Sequence, residues 1–138
     1  MNENGIRPLV TMQVVDWEGP IVEIVFHRPI ATSDDVTELL RETRGFMDQH
    51  VRPSGAQKAY FVTCYDGFRV AKEQVHPLQE AFLEFNQQYS KGDVRYGGSV
   101  VAQSLVISTA IRSLSASEIH PTREEALESL RERIRCRG

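Results

Sequence analysis

Cysteine is scarce in this 138-residue chain: Cys64 and Cys136 stand far apart and form no Cys-x-x-Cys pattern. That excludes a disulfide framework and a thiolate zinc knuckle, and fits a reducing compartment. Long apolar runs are missing as well, since none approaches the roughly 18 residues expected of a membrane-spanning helix. The opening Met-Asn-Glu-Asn lacks the basic and apolar regions of a signal peptide, so a cytoplasmic protein without a membrane span is expected. Positive charge is not in excess, and a formal net charge of -3 argues against a general nucleic-acid binder. The histidines His27, His50, His76 and His120 include no pair at i,i+4, the spacing that would set two imidazoles on one helix face. Neither a metal site nor a cofactor is expected.

What the chain does have is a repeated strand-then-helix pattern. Its clearest case is the end, where Glu118-Ile119-His120 leads through Pro121-Thr122 into Arg123-Glu124-Glu125-Ala126-Leu127. Thr122 with Glu125 three residues on reads as a capping box, and Ala126, Leu127, Leu130 and Ile134 follow at helical spacing. Four arginines near the tail, Arg131, Arg133, Arg135 and Arg137, are balanced by Glu124, Glu125, Glu128 and Glu132. They complement the negative end of a helix dipole better than they mark an anionic partner.

Residues 1–8 are polar and read as a loose N-terminus, followed by a single domain over 9–138; at this length a chain buries roughly 68% of its unfolded surface, enough for its own core. Leu9 to Val15 and Ile21 to Phe26 are β-branched apolar runs joined by Asp16-Trp17-Glu18-Gly19-Pro20, which predicts an antiparallel hairpin. Thr32 or Ser33 then caps a helix whose buried stripe is Val36, Leu39, Leu40, Phe46, Met47 and Val51, with a break at Pro53-Ser54-Gly55. Ala59 to Thr63 reads as a central strand buried on both faces. Val75, Leu78, Phe82, Phe85 and Tyr89 share one face of a second helix, with Lys91-Gly92 as its stop. Asp93 to Tyr96 is a short strand, Gly97-Gly98 a turn and Ser99 an N-cap for 100–114. That last segment is rich in β-branched residues, which suit a strand, but its length favours a helix. The order is ββαβαβαβα, an α/β fold with a small mixed sheet of about five strands.

In open α/β sheets ligands gather outside the carboxyl ends of the strands, where helix N-termini offer unpaired N–H groups. Three loops qualify here: Cys64-Tyr65-Asp66-Gly67, Tyr96-Gly97-Gly98-Ser99 and His120-Pro121-Thr122. The amides of Gly97, Gly98 and Ser99, with the Thr122 hydroxyl, could hold a small anion, although glycines and caps also serve any strand-to-helix turn. Cys64, Asp66 and His76 are the residue types of a thiol nucleophile with its orienter and base. Nothing in their spacing links them, and a cysteine at the end of a buried strand is first a packing residue. Trp17 in a hairpin turn marks either a contact surface or a residue packed on a neighbouring helix.

The strand pair, the strand Ala59 to Thr63, the amphipathic helix after it and the closing Ile119-His120-Pro121-Thr122-Arg123-Glu124-Glu125-Ala126-Leu127 together resemble the STAS-like domains related to the sporulation anti-sigma-factor antagonist. The resemblance covers roughly Leu9 to Ile134. It implies a five-stranded sheet with helices on one side and a regulatory or binding role rather than catalysis. The classical antagonists carry a phosphoacceptor in an Asp-Ser-Ser/Thr-Gly loop after the central strand. Here that loop reads Cys64-Tyr65-Asp66-Gly67-Phe68, and no serine or threonine falls between Thr63 and Ser90. Asp66 offers a fixed negative charge instead.

Two functions follow as expectations. One is a non-enzymatic interaction module docking a protein partner, or a second copy of itself as a homodimer, through the loop edge around Asp66 and Gly67. The other is a carrier of a small apolar molecule or lipid, held between helix and sheet by Phe82, Phe85, Val101 and Leu105, side chains that ordinary core packing explains equally.

Overall fold

The computed structural model describes residues 8–98 and 118–137. Ser99, the expected helix over 100–114 with Val101 and Leu105, and residues 1–7 lie outside the described residues. Five strands form one sheet in the order β1-β2-β3-β4-β5: β1 (Val10–Asp16), β2 (Ile21–Phe26), β3 (Ala59–Cys64), β4 (Ser90–Tyr96) and β5 (Glu118–His120). β1 and β2 are antiparallel, pairing Val10 with Phe26 through to Asp16 with Ile21; β2, β3, β4 and β5 are parallel neighbours. Every residue of β3 is buried, as a strand with neighbours on both edges and layers on both faces requires.

Three described helices cover this sheet: α1 (Ser33–Phe46), α2 (Val75–Tyr89) and α3 (Arg123–Arg137). Thr32 caps α1 through a full capping box, its Oγ1 accepting from the Asp35 amide at 3.3 Å while Asp35 Oδ2 accepts from the Thr32 amide at 3.0 Å. The expected stripe runs on past Phe46 through a π-helical turn, Met47–Val51, which buries Met47 and Val51 before Arg52–Ser54 ends the run. Lys91-Gly92 does not stop α2. The helix ends at Tyr89 and the chain becomes extended at Ser90. Tyr89 fixes that point: its hydroxyl donates to Asp48 at 3.2 Å and the Arg52 guanidinium lies 4.4 Å above its ring.

Period-2 alternation divides the core in two. Val22, Ile24, Ala59 and Phe61 face α1 and α2, packing with Val36, Leu39, Leu78 and Phe85. Their neighbours Ile21, Tyr60, Val62 and Val94 face α3 and pack with Ala126, Leu127 and Leu130. The expectation of helices on one side is therefore corrected: α3 lies across the sheet from α1 and α2. The physical reason is visible in β2 and β3, which apart from Glu23 and Thr63 are apolar on both faces and so need cover on both.

Candidate functional site

Because β3, β4 and β5 run parallel, the three loops expected to form a site do lie along one edge of the sheet. Two of them are stitched together. The Tyr65 amide donates to the Tyr96 carbonyl at 3.0 Å, and the Gly98 amide donates to Asp66 Oδ1 at 2.8 Å. Gly97, at a left-handed φ of 76°, has the Asp66 carboxylate resting where a side chain would begin. The structure thus brings Asp66, Gly97 and Gly98 together, with the exposed Asp66 carboxylate taking the Gly98 amide that an external anion would have used. Gly67 has a packing role: a Cβ there would lie 2.5 Å from the Phe26 carbonyl oxygen. Thr122 spends its hydroxyl on capping α3, accepting from the Glu125 amide at 3.2 Å. Ser99 lies outside the described residues.

Beneath this rim is a polar network that the sequence reading missed. Glu23, in the middle of β2 and 3% exposed, accepts from Gln13 Nε2 at 2.9 Å, from the Tyr96 hydroxyl at 2.6 Å and from Arg123 Nε at 2.8 Å. Glu23, Val62, Cys64 and Tyr96 share the α3 face, and the compact side chains on β3 leave room for the Tyr96 phenol to lie across that strand. Burial pushes the Glu23 carboxyl upward, but the Arg123, Tyr96 and Gln13 hydrogen bonds outweigh it and hold Glu23 below the usual carboxylate range. The Tyr96 hydroxyl is driven far above the ordinary phenol value by burial and by donating to Glu23. A charged residue inside Ile-Val-Glu-Ile-Val-Phe was the signal available in the sequence, because an unpaired carboxylate in a central strand is too costly to keep.

Cys64 turns its thiol toward Asp66 Oδ2 at 3.6 Å, and burial raises it, so the reactive thiolate is disfavoured. His76 is exposed on the first turn of α2, 3.8 Å from Glu80. Trp17 is 57% exposed at the hairpin turn, so it is not packed on a helix. Arg131 and Arg135 pair with Asp16 at 3.8 Å and Glu132 at 2.6 Å. Phe85 is core, packed edge-on against Phe61 with ring centres 5.2 Å apart, and Phe82 packs beside it. No described helix is long and apolar enough to cross a membrane.

No protein-family model matches this chain, and no curated protein matches it. A solved structure does: an uncharacterized protein of the DUF3478 family with a SpoIIAA-like fold from Shewanella loihica PV-4. It is 6% identical, with a TM-score of 0.57 over 91% of this chain and 98% of that one. The fold is SpoIIAA-like, the STAS-like architecture expected from the sequence.

Proposed function

We propose that this domain is a non-enzymatic regulatory or protein-interaction module that docks a protein partner, or a second copy of itself, through the loop edge formed by Asp66, Gly67, Gly97 and Gly98. The observation that carries this reading is the Asp66 carboxylate, exposed and yet fixed by the Gly98 amide, on a loop with no serine or threonine to phosphorylate. An anchored charge recognises a partner at little entropic cost, because the side chain is ordered before the partner arrives. A Glu23 carboxylate held ionised, and protons kept on Tyr96 and Cys64, support a scaffold beneath that edge rather than acid–base chemistry.

Replacing Asp66 tests it. Asp66→Asn removes the charge and keeps an oxygen for the Gly98 amide, whereas Asp66→Lys reverses the charge. Both should retain the circular dichroism spectrum of the parent. Native mass spectrometry for self-association, and quantitative capture against the parent for a protein partner, should show binding weakened about tenfold by Asn and further by Lys. Unchanged binding by both variants would overturn the assignment of this edge.

A further inference from the structure

A cleft of about 360 Å³ opens between the edge strand β1 and the last turns of α1, lined by Val10 and Met12 from the strand and Arg41, Glu42, Gly45 and Phe46 from the helix, with Gln49 and His50 at its end. It shares no residue with the loop edge, and its size falls at the lower end of the range for small-molecule sites, roughly 300–1,000 Å³. Three features of α1 and the turn after it stand beside the cleft. Gly45 occupies a helix interior, where glycine costs about 1 kcal/mol relative to alanine, yet a Cβ there would meet nothing within 4 Å. The helix then widens into the π turn Met47–Val51, a distortion that recurs at functional sites and here carries Gln49 and His50 to the cleft. Glu42 Oε2 is buried without a hydrogen-bond donor among the described residues.

We infer that this cleft binds a small organic amine, its apolar body against Val10, Met12 and Phe46 and its protonated nitrogen at the Glu42 carboxylate. The apolar wall excludes a bare inorganic cation, which would need several oxygen ligands. Phe46, with the His50 ring 5.0 Å away, adds an aromatic face for a cation to approach. The charged groups around Glu42 fix the sign. Burial, and then the Glu38 carboxyl one turn earlier, raise Glu42 to about 7. Arg28 is already clamped by Asp35 at 2.9 Å and Glu38 at 3.0 Å, Arg41 is exposed at the rim, the His50 imidazole stands at the end of the cleft, and β1 contributes only the uncharged Val10 and Met12. An ammonium group at this carboxylate supplies the donor that Glu42 lacks among the described residues.

The test uses phenethylamine, with 2-phenylethanol and phenylacetate as its neutral and anionic counterparts, titrated into isotopically labelled full-length protein while the amides of Val10, Met12, Gly45 and His50 are followed. Phenethylamine should shift those amides saturably, and the alcohol and the acid should bind about tenfold more weakly or worse. Affinity should climb as pH rises from one unit below about 7 to one unit above, as Glu42 gives up its proton. Glu42→Gln should lose the preference for the amine. Gly45→Leu, which suits a helix and fills the cleft, should abolish binding while the melting temperature is kept. No saturable shift with phenethylamine, equal affinity for all three probes, or binding that survives both variants would overturn the site. None of these results depends on the Asp66 edge.

Discussion

At the scale of single residues, Glu23 shows how a charge is kept inside a sheet. A carboxylate in the middle of an otherwise apolar strand costs several kcal/mol unless its oxygens are satisfied, and here Gln13, Tyr96 and Arg123 satisfy them from β1, β4 and the start of α3. The same three bonds tie distant parts of the chain to one point. Glu23→Gln keeps the shape and removes the charge, so it should lower stability by about 1–3 kcal/mol at neutral pH. The pH dependence has a definite sign. A carboxyl held below its unfolded value of 4.5 contributes stability that is present above that value and is lost as pH falls through the folded value. Urea titrations of parent and variant should therefore differ by a constant amount above about pH 5 and converge below 4.5. A difference that grew toward acid would mean that Glu23 is not the charged member of this network.

The elements were legible where local chemistry decides them. The β1–β2 hairpin, the Thr32 start of α1, the buried strand β3 and the Thr122 start of α3 follow from turn residues, caps and periodicity, and all four stand where the sequence places them. Thr32→Ala should cost about 1 kcal/mol by thermal melting, since it removes one arm of the capping box and leaves the Asp35 amide only the Thr32 carbonyl, 3.1 Å away. A variant as stable as the parent would show that the Asp35 arm alone holds the first turn. What was not legible depends on partners distant in sequence. The end of α2 is set by Asp48 and Arg52 gripping Tyr89, about forty residues away, so the glycine at 92 was a misleading stop. Likewise Asp66, Gly97 and Gly98 could be named as loop residues, but the bond that fixes Asp66 crosses between two loops and has no local signature. The Glu23 network was hidden for the same reason: Arg123 lies a hundred residues further along the chain.

At the scale of the whole molecule, the sheet acts as a partition between two cores. Leu78 on α2, 1% exposed, packs with Phe61 and Phe85 on one side; Leu130 on α3, fully buried, packs with Tyr60, Val62 and Val94 on the other. Truncating either leucine to alanine leaves a cavity in a close-packed layer and should cost about 2–5 kcal/mol by urea denaturation. Because the two cavities open on opposite faces with no shared side-chain partner, the double variant should lose the sum of the two within about 0.5 kcal/mol. Leu130 makes this a test of architecture as well as of packing. If α3 were held only by Arg123 at its first turn, its buried stripe would matter little and Leu130→Ala would behave as a surface change, within about 0.5 kcal/mol of the parent. A large, additive cost at Leu130 instead means that the apolar stripe itself docks α3, and that the Glu23–Arg123 pair sets where the helix begins on a face that burial already holds closed.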